Sequence, residues 1–223
     1  MVGIYILIAI VGYLLGSVSI SVLLSTTIWH DDVRNHGSGN AGATNVARVF
    51  GFYKGLLTLG GDMLKTALAG LFGLYLGKLV GLTDAPDRIG MVIGCFGALF
   101  GHSWPVFFKF HGGKCVSVAA CIALLLDWRM FLILLAVFLL MFLLTKRVAV
   151  CSCTCAAVYP IVYWFVRHFF KQVSPLVYTL ELILCLFICV LVIYLHRSNI
   201  HRLIRGEEPE FKPSAKGELN RDE

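Results

Sequence analysis

Three short stretches of this 223-residue chain gather side chains able to bind and stabilise an anion. The first runs Arg-Asn-His-Gly-Ser-Gly-Asn-Ala-Gly-Ala-Thr-Asn-Val-Ala-Arg from Arg34 to Arg48. Its glycines, Gly37, Gly39 and Gly42, permit positive φ and close approach of the backbone to a ligand. Ser38, Asn40, Thr44 and Asn45 add neutral hydrogen bonds, and Arg48 adds a planar cationic fork. The combination suits a phosphate cradle, although neither a G-x-G-x-x-G nor a Walker spacing is present. A glycine-rich turn at a membrane surface has the same composition.

The second stretch, Gly101 to Cys115, reads Gly-His-Ser-Trp-Pro-Val-Phe-Phe-Lys-Phe-His-Gly-Gly-Lys-Cys. Pro105 ends or kinks a helix, the aromatics suit a membrane interface, and Gly112 and Gly113 can present Lys114 to a phosphate. Lys109 is better read as snorkelling, and His102 as a hydrogen-bonded structural residue. The third stretch is His196-Arg197-Ser198-Asn199-Ile200-His201-Arg202-Leu203. On a helix His196 and Asn199 share a face, with Arg202 one step further. Arg202 and Arg205 also fit the cation preference of a helix C-terminus, with no role toward a ligand.

The elements that must position these residues are membrane helices. The chain is 58% hydrophobic and 14% charged, beyond the range of soluble domains, and the apolar residues come in long runs. Seven runs are expected to form helices: Val2–Ser25, Phe52–Val80, Ile89–Phe108, Val116–Leu126, Met130–Leu144, Val148–Phe170 and Pro175–Leu195. The first reads as a retained helix rather than a cleaved leader. The fourth is too short to span alone, so its helix is expected to start near Lys114 and to run obliquely or be partly shielded by protein.

The fold expected is therefore all-α and polytopic, about seven transmembrane helices joined by polar, partly re-entrant cytoplasmic loops. Of the nineteen Lys and Arg, Lys65 is intramembrane, thirteen flank one side and five the other. The richer side is expected to be cytoplasmic, with the N-terminus outside, the C-terminus inside and all three polar stretches at the cytoplasmic face. One catalytic transmembrane domain over residues 1–205 precedes a polar, loose cytoplasmic tail over 206–223. Asp62 and Lys65, three apart in the second run, read as a structural ion pair. Glu181 reads as a snorkelling residue near the outer end of the last run. The eight cysteines lie almost entirely in apolar segments and read as buried thiols, with no metal site.

Gly-Ser-Gly-Asn-x-Gly-Ala-Thr-Asn at 37–45, Gly-His-x-x-Pro-Val-Phe-Phe-Lys-Phe-x-Gly-Gly-Lys at 101–114 and His-Arg-x-Asn-Ile-x-Arg-Leu at 196–203 carry a resemblance. In order and content they resemble the bacterial acylphosphate-dependent glycerol-3-phosphate acyltransferases, from the first run to about Glu207. The resemblance implies seven spans in the bacterial inner membrane. It also implies transfer of a long acyl chain from acyl phosphate to the 1-hydroxyl of glycerol 3-phosphate, giving lysophosphatidic acid and inorganic phosphate. Membrane lipid is the surrounding partner; no cofactor, metal or nucleic acid is implied. By motif match Ser38, Arg48, Lys114, His196 and Asn199 take the family's active-site positions. Gly39, Asn40, Thr44, Asn45, Gly112 and Gly113 are the matching binding or shaping residues.

Two departures stand out. Cys115 and Ser117 replace the glycine and small alanine that usually follow Gly-Gly-Lys, and Val148–Thr154 lacks the family's Ser-Leu-x-Ser pattern. None of the seven histidines is followed five positions later by Asp, so the signature of coenzyme A-dependent acyltransferases is absent. A transporter of phosphorylated solutes would need polar loops at both faces, and the outer segments Thr83–Arg88 and Arg167–Ser174 hold no glycine-rich cluster.

Overall fold

The computed structural model describes residues 2–80 and 86–214. The first half of the Thr83–Arg88 segment and the tail beyond Ser214, with Lys216 and Arg221, lie outside the described residues. Among the described residues all regular structure is helical. The helices are α1 (Val2–Ser17), α2 (Ile20–Thr27), α3 (Ala43–Phe50), α4 (Phe52–Val80), α5 (Pro86–Ser103), α6 (Val116–Leu126), α7 (Trp128–Thr145), α8 (Val148–Phe169), α9 (Pro175–Leu195) and α10 (Arg197–Ile204).

Among the described residues five spans, Val2–Thr27, Arg88–Phe108, α7, α8 and α9, are long and apolar enough to cross a membrane. The other two of the seven expected runs are α4 and α6. The 29-residue α4 is long enough but carries Lys54, Asp62, Lys65 and Lys78. The 11-residue α6 rises only about 16 Å, half of a hydrocarbon core of about 30 Å. It starts at Val116 and not near Lys114, because left-handed Cys115 keeps Lys114 in the preceding loop, and it is shielded by protein: Val118, Ile122, Ala123 and Leu126 are all buried.

The first run is not one helix. It breaks between Ser17 and Ile20, where Ser19 is extended at φ −80° and ψ 99°. The Val18 carbonyl accepts a hydrogen bond from Lys65 Nζ at 2.7 Å, so the break is satisfied from within the bundle. Glycines bring α1, α4 and α5 together: a Cβ on Gly12, Gly16, Gly73 or Gly97 would collide with backbone of the facing helix. The larger core is Leu99, Ile122, Met130, Tyr163, Leu184 and Ile188, from α5 to α9. Outside it, leucines such as Leu139, Leu140, Leu143 and Leu144 on α7 stay exposed, as a lipid-facing surface requires.

Contacts at the two ends fix how the loops are sorted. At one end Arg88 of α5 and Arg167 of α8 both reach Glu181 of α9, at 3.0 and 2.7 Å. Glu181 does not snorkel; it is 0% exposed, because the two guanidiniums meet it inside the bundle. At the opposite end lie α3, the α5–α6 loop, the α7–α8 turn and α10. There Phe211 N–H bonds the Lys146 carbonyl and Ser214 N–H the Ala47 carbonyl, at 2.8 and 3.2 Å. The chain after Gly206 is therefore not loose as far as Ser214: it folds back across the end of the bundle.

Candidate active site

The first polar loop is built around Asn45, which is 2% exposed. Its carboxamide accepts from Ser38 N–H at 2.9 Å and donates to the Val33 and His36 carbonyls, both at 3.0 Å. Asn45 therefore shapes the loop from beneath. Gly37 and Gly39 take φ +59° and +69°, the left-handed conformations that glycine allows without strain. Ser38 and Gly39 stand exposed at the tip, with Asn40 partly exposed beside them. Gly42 caps α3 with extended backbone, and Thr44 and Arg48 follow on that helix, both partly exposed.

The second loop is anchored to the end of α5. Gly113 N–H donates to the His102 carbonyl at 3.0 Å, and a Cβ on Gly112 would collide with that same oxygen. Gly112 and Gly113 are thus required for close approach, not for positive φ. Positive φ falls instead on Lys109, Phe110 and Cys115, the last at +61°. At Cys115, where the resemblance leads one to expect glycine, a buried cysteine bears the strain while contacting Ser103 Oγ at 2.9 Å. The loop also abuts the first: an added Cβ on Gly113 would lie 3.0 Å from the Ala41 carbonyl oxygen.

The second and third stretches meet directly. Lys114 Nζ donates to Asn199 Oδ1 on α10. Asn199 Nδ2 donates to Glu208 Oε1 at 2.7 Å, and Arg202 Nε donates to Glu208 Oε2 at 2.8 Å. Arg147 Nε donates to the Glu208 carbonyl at 3.1 Å. Glu208 falls in the polar 206–223 segment expected to be loose, yet it is 4% exposed and orients both Asn199 and Arg202. The sequence signal for it is Gly206, whose φ of +73° turns the chain back after α10.

Burial pushes the Lys114 ammonium below its ordinary pKa; the fields of Arg202 and, more weakly, Arg48 add to this, while Glu208 opposes them. The site is therefore a partly desolvated patch with Lys114, Arg48 and Arg202 around it, suited to a multiply charged anion. His196 caps α9 and is 4% exposed. Its Nδ1 lies 2.8 Å from the Val192 carbonyl, which can only accept, so Nδ1 carries the proton and Nε2 the lone pair. Burial lowers its pKa to about 4, so the ring is neutral near pH 7. Among the described residues no group of three His, Cys, Asp or Glu could hold a metal ion.

Beside this patch an apolar cavity of about 210 Å³ opens into the bundle. Val116, two residues past Lys114, lines it together with Ser152 and Val192; Phe131, Tyr159 and Ile188 line it further in. From Ser152 to Tyr159 is about 10 Å along α8.

Residues 6–206 match the family described as glycerol-3-phosphate acyltransferase. A glycerol-3-phosphate acyltransferase of Clostridioides difficile (strain 630) is 36% identical over 92% of this chain and 94% of its own length. One of Geobacillus kaustophilus (strain HTA426) is 36% identical over 92% and 95%. Among solved structures, PlsY (YgiH), an integral membrane glycerol 3-phosphate acyltransferase in its glycerol 3-phosphate form, superposes with a TM-score of 0.78. The two are 31% identical over 93% of this chain and 96% of that one. The helical architecture, the three motifs in order and these matches together place the chain in the glycerol-3-phosphate acyltransferase family, as an integral membrane acyltransferase.

Proposed function

We propose that the protein transfers a long acyl chain from acyl phosphate to the 1-hydroxyl of glycerol 3-phosphate, releasing lysophosphatidic acid and inorganic phosphate. The observation that carries this reading is the joining of an anion site to an apolar cavity: Lys114 holds Asn199 at the polar end, and Val116 begins the cavity lining. A phosphorylated head and a hydrocarbon tail fit such a junction.

Arg48 and Lys114 hold the substrate phosphates, with Gly39, Asn40, Thr44, Gly112 and Gly113 supplying close backbone and neutral hydrogen bonds. Ser38 and Asn199 orient the hydroxyl and the acyl carbonyl and stabilise charge in the tetrahedral transition state. The hydroxyl oxygen bonds to the acyl carbon as the bond from that carbon to the phosphate oxygen breaks. The hydroxyl proton passes to the departing phosphate, a stronger base near pH 7 than an imidazole whose pKa is about 4. His196 Nε2 then acts as a hydrogen-bond acceptor that aims the hydroxyl.

The helices make seven spans, with α4 crossing by pairing its charges internally and α6 as the shielded short one. The excess of Lys and Arg at the site end makes that end cytoplasmic in the bacterial inner membrane, with the N-terminus outside. The test is incubation of the detergent-solubilised protein with labelled glycerol 3-phosphate and either palmitoyl phosphate or palmitoyl coenzyme A. Lysophosphatidic acid from palmitoyl phosphate alone supports the donor; product from palmitoyl coenzyme A alone would reject it.

A further inference from the structure

Asp62 and Lys65 of α4 lie deep in the bundle, 2% and 5% exposed, and pair at 3.0 Å. A pair of this kind neutralises itself, which is enough to keep two charges within a membrane helix. Asp62 does more than that. A carboxylate has about four lone-pair sites, and Lys65 occupies only part of that capacity. Ser117 Oγ donates to Asp62 Oδ2 at 3.4 Å, and the His102 ring packs against the other oxygen, Nδ1 lying 3.6 Å from Oδ1, beyond hydrogen-bond distance.

Those two residues bracket Lys114. Ser117 lies in the first turn of α6, three residues beyond it. His102 carries the loop ahead of it: its carbonyl accepts the Gly113 N–H at 3.0 Å, and its Nε2 edge leaves no room for a Cβ on Gly113. Lys65 reaches elsewhere, to the Val18 carbonyl at the break between α1 and α2. The two partners of one ion pair thus hold different things.

We propose that Asp62 is a positioning residue for the Gly112–Gly113–Lys114 loop, holding it through the Ser117 hydrogen bond on one flank and through packing against the His102 ring on the other. Resting on the reading of that loop as a phosphate site, the consequence is that Asp62 sets how tightly glycerol 3-phosphate is held.

The experiment compares Asp62→Asn with Lys65→Met in the full-length, detergent-solubilised protein. Hydrogen exchange of the 109–116 segment is followed by mass spectrometry, alongside kinetics in glycerol 3-phosphate with palmitoyl phosphate as donor. Asp62→Asn is expected to speed exchange at Gly113 about tenfold and raise KM about tenfold, with kcat falling less than about threefold. Lys65→Met breaks the same ion pair but leaves both flanking residues in place. It is expected to lower the melting midpoint while leaving exchange and KM within about twofold.

Equal exchange and KM responses in the two variants, or unchanged exchange in Asp62→Asn, would overturn the proposal and leave an ordinary structural pair. If Asp62→Asn yields no folded protein, Ser117→Ala is measured in its place: exchange raised about threefold supports the proposal, and unchanged exchange overturns it. Faster exchange with KM unmoved, or with no transfer even in the parent protein, would uphold the positioning by Asp62. It would count instead against the loop as the phosphate site.

Discussion

Two buried ion clusters sit at opposite ends of this bundle, and they differ in what they hold. At the far end Glu181 takes Arg167 and Arg88, with Tyr163 Oη donating to it at 3.1 Å and Arg167 also bonding the Leu126 carbonyl at 3.2 Å. That cluster ties α5, α6, α8 and α9 together and touches none of the three polar stretches. At the site end Asp62 and Lys65 each reach past one another, to the residues that flank the lysine loop and to a helix break. A charge in a membrane helix must be neutralised in either case. What separates the two clusters is whether the carboxylate meets only helices that pack, or also the residues that flank a loop that has to hold a ligand.

The sharpest way to break this distinction is to remove one residue at each end. Lys114→Ala is expected to lower kcat/KM by more than about 100-fold while leaving the melting midpoint nearly unchanged, since it removes a charge aimed at substrate. Radiolabel transfer and thermal unfolding measured on the same preparation check both halves. Glu181→Ala is expected to do the reverse. It leaves the Arg167 guanidinium buried without its counter-charge, at a cost of about 3–5 kcal/mol in stability, with turnover per folded molecule within about twofold of the parent. A Glu181→Ala protein as stable as the parent, or one folded and inactive, would erase the contrast.

Acid sharpens it further, because His196 belongs to the site end alone. Its folded pKa of about 4 lies below the value near 6.5 of an unfolded chain. Between those values the unfolded state binds the proton and the folded state does not, so stability is full above about pH 6.5 and falls as pH drops toward 4. The melting midpoint is expected to fall between pH 7 and pH 5, and His196→Gln to flatten that fall.

The smallest effect is expected at Cys115. Glycine there would relieve the left-handed strain, worth about 1–2 kcal/mol, but would lose buried sulfur packing of similar size. Cys115→Gly should therefore change stability by less than about 1 kcal/mol, as read by thermal unfolding, which tests whether the loop tolerates this departure from glycine.

The sequence alone determined the elements that local patterning controls. Runs at Phe52–Val80 and Pro175–Leu195 become helices with those same bounds, because a mostly apolar stretch in a membrane must satisfy its backbone within itself and can pair the few charges it carries inside the bundle. It also marked Lys114 and Asn199, whose contact follows from two polar segments lying at one end of the bundle. Only the tertiary structure decided which charges cooperate. Glu208 looked like one of several acidic tail residues until a positive-φ Gly206 folded it under Asn199 and Arg202. The break at Val18 gives no composition signal, and it is satisfied by a lysine 47 residues away. Asp62 and Glu181 look alike in sequence, single acids inside apolar runs. Their roles differ because a side chain's role is set by the partners within about 4 Å of it, and those come from distant parts of the chain.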